Sequence, residues 1–168
     1  MELFGGYSRT EYSVFSLYSG PWRAAPFNGW EVSAALPFRP HLALEADFVG
    51  GYSPSNHYSL RTYMGGVRVS KQAGKGTLYA HGLVGALTFN SGGLTATATS
   101  AAGALGGGAD VWFSRHIGAR LVQLDYLRNN NQAAVLGFEH GPGTTGPGNT
   151  FRIATGLMFR LGQTRPVP

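Results

Sequence analysis

The chain contains no cysteine, which excludes a disulfide framework, a thiolate nucleophile and a cysteine-ligated metal. It is also short of charge. Asp, Glu, Lys and Arg make up 12% of its 168 residues, about half of what a soluble domain carries to coat its surface. No run approaches the roughly 18 apolar residues of a membrane helix, so helical spans are excluded. Phosphate-binding loops and nucleophile elbows are missing too: the Gly-rich GALGGGAD at 103–110 is followed by neither a Lys nor a helix signal. The five histidines, His41, His57, His81, His116 and His140, stand at no metal-ligand spacing. This inventory implies no cofactor, no metal and no catalytic residue. The opening MELFGGYS lacks the basic and apolar regions of a secretory signal, so a mature form is expected.

What the chain has is glycine, 26 residues of it, together with aromatics and short apolar runs. Lys and Arg outnumber Asp and Glu by 13 to 8, but they are dispersed rather than clustered, which argues against a nucleic-acid partner. The length fits one domain. We expect a barrel over 1–162 and a short C-terminal tail over 163–168. Hydrophobicity repeats with period two almost throughout, over segments 2–9, 27–36, 41–52, 58–70, 76–89, 103–113, 117–128 and 150–162, which predicts eight strands. Short polar or Pro-containing connections at 37–40, 71–75 and 114–116 alternate with longer links at 10–26, 90–102 and 129–149 and a shorter one at 53–57. Tight turns at one end and long loops at the other match an up-and-down antiparallel barrel.

The faces of these strands decide which solvent the barrel meets. In LALEADFVGGYS, residues 42–53, Glu45 and Asp47 share one face with Ala43, Val49 and Gly51, and the opposite face carries Leu42, Leu44, Phe48 and Tyr52. Glu31, Arg68, His81, Asp110, Asp125, Arg152 and Arg160 likewise fall on the face that carries small or polar neighbours. Arg120 alone breaks the pattern and reads as outward, near the short-turn end, where a long side chain can snorkel. A soluble lipocalin-like barrel needs apolar residues inside and charges outside. Here the faces are reversed, as lipid requires of a transmembrane barrel. A β-sandwich with charged solvent faces is the bland alternative.

The segments ELFGGYS (2–8), TYMGGVRVS (62–70), YAHGLVGALTF (79–89), GGGADVWFSRHIGARLVQLDYL (106–127) and FRIATGLMFRLG (151–162) resemble the bacterial outer-membrane β-barrel domain family, similar to the membrane domain of outer-membrane protein A. The resemblance implies an eight-stranded barrel in a Gram-negative outer membrane, with short periplasmic turns and long extracellular loops. The chain departs from many members in having no signal peptide and no peptidoglycan-binding extension after Gly162, which leaves cell-wall anchoring without support.

The candidate site is thus a structural network of interior polar residues: Glu2, Glu31, Glu45, Asp47, Arg68, His81, Asp110, Asp125, Arg152 and Arg160. Strand adjacency predicts the pairs Glu2 with Arg160, Glu45 with Arg68, Asp125 with Arg152, and His81 with Asp110. The expected function is non-enzymatic: an outer-membrane barrel with a polar-plugged interior, since eight strands rarely leave an open channel. Expected partners are outer-membrane lipid and an extracellular partner reached through loops 10–26, 90–102 and 129–149, with the chain a monomer. A narrow, porin-like pore for ions or small solutes and a soluble lipocalin-like ligand carrier are the alternatives.

Overall fold

The computed structural model describes residues 1–16, 20–53, 58–91, 97–130 and 148–162. The period-two segments form eight strands: β1 (Glu2–Ser16), β2 (Gly20–Arg39), β3 (Leu42–Ser53), β4 (Tyr58–Ala73), β5 (Gly76–Ser91), β6 (Thr97–Trp112), β7 (Ile117–Asn129) and β8 (Gly148–Arg160). Each pairs antiparallel with the next, and β8 returns to β1, closing the sheet. Closure is what allows a sheet to have one face in an apolar solvent, because it leaves no edge of unpaired N–H and C=O groups.

Register fixes the shape. Glu2 lies opposite Ala35, and the row continues through Glu45, Gly66, Leu83, Ala104, Leu127 and Thr150 before meeting β1 again at Tyr12 rather than Glu2. Such a stagger tilts eight strands by roughly 35–45° and leaves a lumen narrow enough for side chains to fill. The turns at one end are tight. Gly74 takes the left-handed conformation, φ 61°, between Ala73 and its partner Gly76, a backbone that a side chain resists in a two-residue hairpin. Between β6 and β7 the Ser114 hydroxyl accepts the backbone N–H groups of His116 and Ile117 at 3.3 and 3.0 Å.

The strands outrun the expected ones at the other end. The link expected over 10–26 is largely ladder, with Glu11 opposite Pro26 and Val14 opposite Arg23. Pairing of β1 with β8 stops at Tyr12 and pairing of β2 with β3 starts at Asn28, so this hairpin stands beyond the closed wall as a two-stranded ribbon. Pro21 and Pro26 both lie in β2, and proline is tolerated on strands with an open edge. The link expected over 90–102 shortens likewise, since Asn90 pairs with Thr97. Most of the 129–149 loop, the 53–57 link and the 163–168 tail lie outside the described residues.

Inside, the barrel is layered. Toward the long-link end Phe27, Leu60, Leu87, Phe89 and Leu127 are buried together, and toward the tight-turn end Phe4, Trp112, Ala154 and Met158 form a second apolar cluster. The charged side chains of the lumen lie between and beside these clusters.

Candidate functional site

Alternation aims charged side chains of seven strands, β2 to β8, into that middle layer. Arg152 of β8 is the hub of its upper part. Its Nη2 and Nε donate to Asp125 Oδ2 at 2.5 and 2.8 Å, and its Nη1 donates to Asp47 Oδ1 across the lumen at 3.0 Å. Glu31 Oε2 lies 3.5 Å from Arg152 Nε. His81 of β5 stands next, its Nδ1 2.9 Å from Glu45 Oε2 and its Nε2 2.8 Å from Asp125 Oδ1. Both ring nitrogens thus face a carboxylate oxygen within hydrogen-bond distance.

A second centre forms nearer the turns. Asp110 of β6 accepts from Arg68 Nη2 at 2.6 Å and from Arg120 Nε at 3.0 Å. Both guanidiniums lie against the Tyr79 ring, Arg68 at 3.8 Å and Arg120 at 4.6 Å from its centroid, two cation–π contacts in a buried site. Its hydroxyl donates to Gln123 Oε1 at 2.8 Å, an oxygen that also accepts from Arg120 Nη1. Gln123 Nε2 then donates to Glu31 at 2.8 Å and Asp125 at 2.7 Å, which joins the two centres into one network. At the turn end Arg160 Nη2 donates to Glu2 Oε1 at 2.7 Å while its guanidinium stacks 3.8 Å over Trp112. Glycine makes the room: a Cβ at Gly108 would meet the Tyr79 hydroxyl at 2.7 Å, and one at Gly106 would overlap the Asp125 carboxylate.

All ten of the sequence-predicted polar residues face this interior, with Glu2 and Arg160 half-buried and the other eight buried. Two predicted pairs are present, Glu2 with Arg160 and Asp125 with Arg152. Two are corrected. Arg68 bonds Asp110 instead of Glu45, and His81 bonds Glu45 and Asp125 instead of Asp110. In a lumen this narrow, long side chains reach past the adjacent strand, so adjacency alone does not choose partners.

Arg120 is a further correction: it is buried, not outward. The register jumps between Ala109 and Asp110 on β6, whose partners are Val122 and Arg120, so Leu121 is an extra residue. This bulge turns Arg120 and Gln123 to the same face although their numbers differ by three. The signal was in the sequence, since Arg120 and Asp125 cannot both point inward on an unbroken strand. Tyr79 and Gln123 were missed as members of the network because neither carries a charge to mark it.

Over the middle of the wall the opposite face of the strands is apolar. Leu105 is 70% exposed and Val84 72%, with Leu124, Leu78, Phe113 and Phe151 also exposed, a large hydrophobic surface of a kind monomeric soluble proteins rarely keep. Among the described residues no group of three His, Asp or Glu is placed to hold a metal.

No family model matches the chain, and no curated protein matches it in sequence. Solved structures do match it in shape. Neisserial surface protein A, NspA, superposes with a TM-score of 0.64 at 11% identity, covering 95% of this chain and 97% of its own. Ail, the attachment invasion locus protein of Yersinia pestis, gives 0.51 at 11% identity, covering 94% and 97%. The N-terminal β-barrel domain of Pseudomonas aeruginosa OprF gives 0.50 at 10% identity, again covering 94% and 97%. This chain has the fold of the eight-stranded outer-membrane β-barrels. At 10–11% identity the likeness is one of fold alone. Ail has also been solved with the heparin analogue sucrose octasulfate.

Proposed function

We propose that the chain works as a non-enzymatic barrel of the bacterial outer membrane, a monomer over 1–162 whose filled lumen is a scaffold and whose long-link end faces outside the cell to meet a partner. The observation that carries this reading is the reversal of faces: paired charges inside and a large apolar surface outside. The ribbon of β1 and β2 and the links at 90–102 and 129–149 are the parts that would meet an extracellular partner. A surface-interaction role is in keeping with the attachment role in Ail's name.

The pore reading is the weaker one. Phe27, Leu60 and Phe89 pack together inside the wall on the long-link side of the charges, and the charged layer is bonded across its width from Arg152 to Asp47. The test is to fold the protein into planar bilayers and vesicles. A scaffold migrates differently on a denaturing gel before and after heating, enters micelles, and gives no stepwise current. Stepwise conductance would overturn the scaffold, and a protein that stays folded in buffer without micelles would overturn the membrane location.

A further inference from the structure

On the outer face of β2, β3 and β4 the apolar surface is interrupted by a groove of about 560 Å³. Its floor is Gly50, which stands in register between Trp30 and Arg61. The Trp30 indole leans over that gap, 2.7 Å from where a Cβ of residue 50 would be. Below it Phe48 and Tyr63 close the wall edge to face, their ring centroids 5.9 Å apart. Arg61 is the one charged residue lining the groove, is exposed, and has no ion pair among the described residues. Arg9, also outward, is instead held by Glu11 at 3.2 Å.

We propose that this groove holds one phosphate-bearing lipid from the leaflet on the long-link side, its phosphate on Arg61 and an acyl chain between Trp30, Phe48 and Tyr63. The proposal rests on the membrane reading above. A guanidinium is a planar fork of donors that matches phosphate oxygens, and it is worth most where water is scarce. The groove lining carries no carboxylate to answer it, so an anion completes the site. The anion must have a tail, because the aromatic residues Trp30, Phe48, Tyr52 and Tyr63 also line the groove, which opens onto the apolar band. The residues concerned lie toward the ends of β3 and β4 that are joined through 54–57, and thus at the headgroup level of that leaflet.

The experiment is native mass spectrometry of the protein folded in a non-ionic maltoside detergent, supplied with phosphatidic acid or with diacylglycerol of the same chains. The protein should retain one phosphatidic acid and not diacylglycerol, and inorganic phosphate should not displace it. Arg61→Gln should weaken retention about tenfold or more, which corresponds to ~1.4 kcal/mol or more, with Arg61→Lys between the two. Arg128→Gln, outward at the same end but outside the groove, should leave retention unchanged. Equal retention by Arg61→Gln, or an equal loss in Arg128→Gln, overturns the site. Heat-dependent gel migration of each variant reads the barrel separately, so a folded micellar barrel with no lipid preference sinks this proposal alone.

Discussion

Replacing Arg68 and Asp110 singly and together tests whether the structure has assigned the interior pairs correctly. Both side chains are buried, and they meet at 2.6 Å. Breaking a buried pair by removing one partner typically costs ~3–5 kcal/mol, since the other charge is left without compensation. The two single variants should not be equal. Arg68→Met leaves Asp110 with Arg120 at 3.0 Å and belongs at the lower end of that range. Asp110→Asn leaves both Arg68 and Arg120 without their carboxylate and belongs at the upper end. The double variant should be less destabilised than the sum of the singles by about 1–3 kcal/mol, the usual coupling within one network. Paired with Glu45→Gln, Arg68→Met should show a smaller coupling than with Asp110, because Glu45 is bonded to His81 at 2.9 Å and shares only the wider network with Arg68. Urea unfolding in micelles, followed by tryptophan fluorescence, gives the four free energies of each cycle. Coupling of Arg68 to Glu45 as large as its coupling to Asp110 would refute the assignment.

Three further outcomes follow from the same packing. Gly106→Ala drives a methyl into the Asp125 carboxylate and should destabilise by about 1–3 kcal/mol, while Gly5→Ala, whose Cβ meets nothing within 4 Å, should change little in the same unfolding assay. Tyr79→Phe removes the hydrogen bond to Gln123 but keeps the ring against the two arginines, so a loss near 1 kcal/mol is expected; Tyr79→Leu also removes the cation–π contacts and should lose more. Leu105→Arg, on the outer face in the apolar band, should cost ~2–4 kcal/mol for a barrel folded in phospholipid vesicles, and a neutral effect there would contradict a lipid-facing wall.

The strand count, the closed antiparallel order and the reversed faces were legible because all three rest on period-two alternation, which needs no knowledge of partners. What escaped was everything that depends on counting residues across a defect or on distance through the lumen. The Leu121 bulge shifts parity by one, so Arg120 read as outward while the structure buries it. Glu45 and Arg68 sit on adjacent strands and share a face, yet His81 from one strand further reaches Glu45 first. The pairing of β1 with β2 beyond Tyr12 escaped because the segment 10–26 read as a link between strands, whereas Val14 pairs with Arg23. Layering of the lumen was missed for a different reason: inward-facing Phe27, Leu60 and Phe89 share the parity of the charges, and parity says nothing about height.

Charge is also distributed by height. Six of the eight carboxylates in the sequence, Glu2, Glu31, Glu45, Asp47, Asp110 and Asp125, line the lumen, where they meet Arg68, Arg120, Arg152, Arg160 and His81. Among the described residues the interior therefore uses up most of the acid while taking four of the Lys and Arg. The rest of the sequence is left with nine Lys and Arg against two Asp and Glu, an excess larger than the formal +5 of the whole chain. At the tight-turn end Arg39, Lys71, Lys75 and Arg115 are exposed, and the connecting sequences 37–41, 71–75 and 113–116 contain no Asp or Glu. Cations immediately beside an apolar band are placed where lipid phosphates lie, and each such residue adds attraction that fades within a Debye length of the surface. Acid inside and base at the rims is thus one arrangement with two effects: the carboxylates order the arginines that fill the lumen, and their absence from the turns leaves that rim free to hold an anionic headgroup layer.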